Sequence, residues 1–177
     1  FGQKFTTTGG DTPSTAGDLF QVNTYISGAQ YNETYNSGES LASLPGGGFV
    51  KVWESYNQDG DGGYYNIYGQ QFDASGNTVG DEFRVNTTTY HHQLEPDITV
   101  LDDDDYVVTW GSYNQDGNRY GIYGQRYSGD VDENGAPVTG GEEFLINQNK
   151  PVTVSANQRE SIVDIISFSG ISNLLWN

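Results

Sequence analysis

One loop carries residues whose types and spacing suit chemistry: Asn57-Gln58-Asp59-Gly60-Asp61-Gly62-Gly63. Side-chain oxygens alternate along it, and glycines permit sharp turning. Hard cations such as calcium take six to eight oxygens from loops of this kind. A second copy, Asn114-Gln115-Asp116-Gly117-Asn118, has one carboxylate fewer and runs into Arg119. Asn57, Asp59, Asp61, Asn114 and Asp116 are therefore the candidate metal ligands, with calcium the implied cofactor. The same residues suit an Asx-type turn between two strands, in which Asp and Asn bond their own backbone. The downstream glutamate of an EF-hand is missing, and the turn is the favoured reading.

Tyrosines flank both copies. Tyr56, Tyr64, Tyr65, Tyr113 and Tyr120 lie beside Asn, Gln and Asp, and flat rings with planar amides suit sugar rings. The alternative is that these rings pack between neighbouring sheets with their hydroxyls reaching water. Other chemistry-bearing groups read as surface features. His91-His92 lack further ligands at defined spacing and are placed in a surface loop. Asp102 to Asp105 reads as a solvated turn whose charge blocks edge pairing. Asn32 and Asn86 fit the N-glycosylation pattern. Gln3, Gln70 and Gln125 recur within a strand and read as internal hydrogen-bonding posts. No nucleophile elbow, phosphate loop or dinucleotide fingerprint appears, so the expectation is that the chain is not an enzyme.

The elements that must position these residues are repeated too. Tyr-Asn-Gln-Asp-Gly occurs at 56–60 and 113–117, each time after a Trp strand, Phe49 to Trp53 or Tyr106 to Trp110. Each copy leads into a second phrase, Ile67 to Phe72 or Ile122 to Tyr127, which Phe1 to Phe5 echo. A third phrase recurs three times: Leu19-Phe20-Gln21-Val22-Asn23-Thr24, Glu82-Phe83-Arg84-Val85-Asn86-Thr87 and Glu143-Phe144-Leu145-Ile146-Asn147-Gln148. Self-similarity on this scale is a repeat architecture. Aromatic and branched residues two apart predict half-buried strands, and the Trp strands, apolar on nearly both faces, predict cover on two sides.

The predicted fold is all-β, with repeats of four short strands. Strands a, b, c and d run in that order, with two whole units and one split between the termini. Residues 1–148 form the repeat region, divided at 1–38, 39–95 and 96–148. Residues 149–177 form terminal strands, a half-blade or a donor segment.

The net charge of −17 excludes partners bound through Lys and Arg, namely nucleic acid and anionic membranes. No run approaches membrane-spanning length, so no membrane insertion is expected. Aromatics at 14% supply enough packing material to argue against disorder. The opening on Phe1 suggests a processed form or a part of something longer.

The phrases Gly48 to Trp53, Ser55 to Gly60, Ile67 to Phe72, Ala74 to Gly80 and Glu82 to Thr87 resemble a tandem repeat of very large secreted bacterial surface proteins, including RTX-type adhesins. The resemblance covers roughly residues 1–148. It implies a β-propeller-like fold of four-stranded antiparallel blade-like repeats, in an extracellular, structural or adhesive protein, with no catalytic residues to carry over. Half-units expose edges that recruit other strands. The expectation is therefore self-assembly with copies of itself, as ring or filament, through Phe1, Phe5, Ile171, Leu174 and Trp176. The alternative is a lectin-like, carbohydrate-binding module that uses calcium.

Overall fold

The computed structural model describes residues 1–6, 14–15, 17–31, 40–60, 62–101, 105–133 and 135–147. All regular structure among them is strand. β1 (Phe5–Thr6) and β2 (Ser14–Thr15) form a short antiparallel pair. β3 (Gln30–Tyr31) and β4 (Leu41–Ser43) both pair β5 (Phe49–Tyr56), followed outward by β6 (Tyr65–Phe72) and β7 (Thr78–Arg84). β8 (Gln93–Val100), β9 (Tyr106–Tyr113) and β10 (Tyr120–Val131) build the last sheet, whose outer strand is split into β11 (Pro137–Thr139) and β12 (Phe144–Leu145). These are two whole a-b-c-d units preceded by the c-d half of another.

The half-unit obeys the register of the whole ones. Phe5 faces Thr15 across the ladder, Phe72 faces Thr78 and Tyr127 faces Thr139. Gly2 pairs Phe20, Gly69 pairs Phe83 and Gly124 pairs Phe144. Each phenylalanine ring lies over its glycine, where a Cβ would collide with it; at Gly69 the gap to Phe83 Cζ would be 2.7 Å. The expected glutamine posts are present in all three units. Gln3 Nε2 donates to Gly17 O at 2.9 Å, Gln70 Nε2 to Gly80 O at 3.2 Å and Gln125 Nε2 to Gly141 O at 3.0 Å.

Strand a, expected over Ser40 to Leu44 and over Pro96 to Leu101, begins earlier in both units. Gln30 is the register partner of Ser55, as Gln93 is of Ser112, so strand a starts at Gln30 and Gln93. The apolar signal begins later because β8 shifts register between Leu94 and Asp97, and in the preceding unit residues 32–39 separate β3 from β4. A polar strand start therefore read as loop. In the last unit its glutamine serves the core: Gln93 Oε1 accepts from the buried Trp110 Nε1 at 3.1 Å.

The core lies between the two whole sheets. Val50, Val52, Ile67 and Val85 of one sheet meet Ile98, Tyr106, Val108, Trp110 and Tyr127 of the other. The opposite face of β5 carries Trp53, and Phe72 beside it meets Phe20 of the half-unit at 5.7 Å. β5 is thus covered on both sides, as its sequence requires.

Candidate functional site

The repeated Tyr-Asn-Gln-Asp-Gly loop builds a latch between units. Asn57 and Asn114 adopt left-handed φ values of 55° and 60°, which lets each loop close on itself through Gly60 N to Asn57 O and Gly117 N to Asn114 O. Closure aims the glutamine outward. Ser55 Oγ donates to Gln58 Oε1 at 2.6 Å, and Gln58 Nε2 donates to Glu82 Oε1 at 2.5 Å. The other oxygen of Glu82 accepts from Thr24 N at 2.7 Å and Thr24 Oγ1 at 3.1 Å, in the preceding unit. The next junction repeats the arrangement atom for atom. Ser112 donates to Gln115, Gln115 to Glu143 at 2.5 Å, and Glu143 Oε2 accepts from Thr87 N at 2.7 Å and Thr87 Oγ1 at 2.9 Å. In the half-unit Leu19 stands where the others have glutamate.

Three of the proposed metal ligands, Asn57, Asp59 and Asp116, accept hydrogen bonds within the fold. Asp59 accepts from the Tyr68 hydroxyl, from Asn66 Nδ2 at 3.2 Å and from Arg84 in an ion pair of 3.1 Å. Burial, then the bond to Asp59, holds the Tyr68 hydroxyl well above the ordinary tyrosine range. Asn57 Oδ1 accepts from Gly63 N, and Asp116 Oδ1 from Asn118 N. Asp61 lies outside the described residues. No group of three or more His, Asp or Glu among the described residues is arranged to hold an ion. The geometry is that of a turn. Asn86 is 1% exposed; its amide accepts from Ile67 N and donates to Asn66 and Thr88, which leaves no nitrogen for a glycan in the folded chain. Asn32 lies outside the described residues.

The tyrosines come together. Tyr56 and Tyr65 meet across β5 and β6 with ring centroids 5.0 Å apart, and Tyr113 and Tyr120 meet across β9 and β10 at the same 5.0 Å. The segment joining the units fills the space between these pairs. Tyr90 meets His91 at 4.0 Å in a tilted arrangement, and His91 meets Tyr113 at 5.5 Å. Tyr64 meets Tyr90, His91 and His92 at 5.6, 5.5 and 5.3 Å. His92 meets Tyr65 at 5.6 Å, and Tyr65 meets Tyr31 at 5.9 Å. Nine rings therefore form one continuous belt across both whole units. Tyr90 is 65% exposed, and Tyr31, Tyr56 and Tyr113 are also exposed.

The backbone under the belt is held in uncommon conformations. All five non-glycine residues with positive φ among the described residues, Asn57, His91, Glu95, Asn114 and Arg119, lie at this end of the strands. Such residues cluster where surrounding structure over-determines them. Here Glu54 Oε1 accepts from Glu95 N at 2.6 Å, and His92 Nδ1 accepts from Tyr65 N at 3.3 Å. Both contacts tie one unit to the next. Tyr120 is pushed above its ordinary range by burial, then by Tyr113 and Glu54.

Sequence reasoning named Tyr56, Tyr64, Tyr65, Tyr113 and Tyr120 but placed His91 and His92 in a surface loop and missed Tyr31 and Tyr90. The signal was present in Tyr90-His91-His92, three rings in a row between two units. Of the residues expected to carry assembly, Phe1 is 87% exposed, and the Phe5 side chain, Ile171, Leu174 and Trp176 lie outside the described residues.

No family model and no curated protein matches the chain. Among solved structures it is similar to an endo-arabinase from Bacteroides thetaiotaomicron at 22% identity, with 62% of this chain and 42% of that chain covered and a TM-score of 0.40. The chain thus spans less than half of that protein's length. The expectation that the chain is not an enzyme is withdrawn on this finding, because the protein it resembles is one; at that TM-score the match carries no argument about what this chain does.

Proposed function

We propose that this chain is a carbohydrate-binding module that receives a glycan along the aromatic belt. The observation that carries the reading is the belt itself: nine touching rings on one end of two units, with Tyr31, Tyr56, Tyr90 and Tyr113 open to solvent. Exposed aromatic patches of this kind mark interaction sites. Tyrosine presents an apolar face and a polar tip, which matches the two faces of a sugar ring. The strongly acidic surface favours neutral or cationic glycans over uronates. A module of this kind belongs outside a cell.

Affinity electrophoresis through a panel of soluble neutral polysaccharides tests this, with a reducing-sugar assay run alongside for bond cleavage. Retardation by at least one polymer is expected, and Tyr90→Ala, Tyr56→Ala and Tyr113→Ala should each weaken it. A panel that retards nothing, or retards all variants alike, overturns the reading.

Self-association through shared strands is a second reading. Among the described residues β1 has a strand partner on its β2 side alone, whereas β6 and β10 have partners on both sides. Light scattering that gives a monomer mass at every concentration would sink it.

A further inference from the structure

At the other end of the strands, by the turn Leu44 to Gly48, a cavity of about 400 Å³ opens between the two whole units. Leu44, Phe72 and Val79 line it on one side, and Asp105 and Asp130 on the other. Gln71 reaches into it. This side chain is only 7% exposed, yet its Oε1 has no hydrogen-bond partner among the described residues. A buried acceptor left without a donor is uncommon in a folded protein and asks for an explanation.

The repeat supplies a comparison. Gln71 follows the glutamine post Gln70 and pairs Val50; its counterpart, Arg126, follows Gln125 and pairs Val107. Arg126 does not leave its site empty. Its Nε donates to Asp105 Oδ2 at 2.6 Å, and Asp105 stands two residues before Val107. The position two before Val50 is Gly48, where any Cβ would run into the Phe72 carbonyl oxygen. Where the last unit carries a guanidinium and a carboxylate, the preceding one thus carries a neutral amide and a bare backbone. Asp105, itself paired with Arg126, and Asp130 of the next unit also line it.

We propose that this cavity is a binding site for a guanidinium cation on a short apolar stem, which takes the place that the Arg126 side chain fills in the last unit. The cation donates an N–H to Gln71 Oε1 and lies near the Asp105 and Asp130 carboxylates, while its stem rests on Leu44, Phe72 and Val79. The site is remote from the aromatic belt, since β5 runs from the cavity at Phe49 to the belt at Tyr56. It does not depend on the glycan reading.

The experiment is a titration of the uniformly 15N-labelled chain with methylguanidinium, followed by amide NMR. Saturable shifts are expected at Gly48, Asp105, Asp130 and the Gln71 side chain, in the millimolar range suited to so small a ligand. Gln71→Leu should keep a dispersed spectrum and bind roughly ten-fold more weakly, having lost the acceptor. Gln71→Arg supplies the guanidinium from within and should abolish the shifts; it keeps the test decisive if Gln71→Leu fails to fold. Agmatine and an Ala-Arg-Ala peptide separate the sources: tighter binding of the peptide assigns the site to a partner's arginine, and tighter binding of agmatine assigns it to a free guanidino compound. Absence of saturable shifts, equal shifts in Gln71→Leu, or equal shifts with glucose overturns the proposal.

Discussion

Glu82→Ala tests whether the latch holds neighbouring units together. The carboxylate accepts three hydrogen bonds, from Gln58 Nε2, Thr24 N and Thr24 Oγ1. Each such bond contributes about 0.5–1.5 kcal/mol net, and more when the acceptor is charged. The Thr24 donors are exposed, so water replaces part of what the substitution removes, and the expected cost is about 2 kcal/mol rather than the full sum. For a chain of this length about 1 kcal/mol lowers Tm by about 2–4 °C, so a fall of about 4–8 °C is expected. Leu19→Ala, at the position where the half-unit lacks the carboxylate, should be nearly silent. The sharper assay is a double-mutant cycle with Thr24→Val in chemical denaturation, where residues sharing hydrogen bonds should couple by about 1 kcal/mol. Because each repeat is held by its neighbours, loss of the latch should also broaden the transition as units begin to unfold separately. A coupling below about 0.3 kcal/mol, within the scatter for independent sites, would refute the latch.

Gln93→Leu should destabilise by about 1–3 kcal/mol, since it strands the buried Trp110 N–H, while Gln30→Leu should be nearly neutral because Trp53 Nε1 and Gln30 Oε1 have no partner among the described residues. Denaturant titration of both variants checks the difference. Gly124→Ala should cost about 1–3 kcal/mol by overpacking, its Cβ standing 2.9 Å from Phe144 Cζ, and Phe144→Leu in the same chain should recover part of the loss. Tyr106 and Tyr127 are held protonated by burial, above the ordinary value of 10.0. Their unfolded counterparts lose protons first, so the unfolded state binds fewer, and stability should be intact below pH 10 and fall above it. Phenolate absorbance should show these two hydroxyls silent until the chain unfolds.

The parts of the fold that were legible in sequence are those written in apolar periodicity. The Trp strands announced cover on both faces, and the Phe-x-Val-Asn phrase announced strand d. The start of strand a was not legible, because Gln30 and Gln93 are polar residues placed inside the sheet, and Gln93 serves a tryptophan. Residues 32–39 further separate Gln30 from the apolar run that follows. The latch was hidden for a different reason. Gln58 belongs to the motif that first drew attention, but its partners Glu82 and Thr24 are remote in sequence, and no local pattern links them. Sequence likewise does not show that Arg84 and Tyr68 meet at Asp59, since both lie outside the loop.

What the copies share and where they differ separate scaffold from site. The glutamine posts, the covered glycines and the latch recur with the same partners, so they answer to the demands of stacking one sheet on the next. The tyrosine pairs recur as well, at equal ring separations, but stacking does not require them to be open to water. A purely packing role would leave Tyr56 and Tyr113 as enclosed as Tyr106 and Tyr127, which carry the inter-sheet contact itself. The rings that join the two pairs come from Tyr90, His91 and His92 and have no counterpart within either unit's hairpins. The strand that follows them is tied back by a buried carboxylate, Glu54, which accepts from Glu95 N and whose place in the last unit is taken by Gly111. A repeated pair bridged by an unrepeated wedge is a surface made continuous across a junction, and a long ligand that engages both pairs gains from their linkage without any new contact.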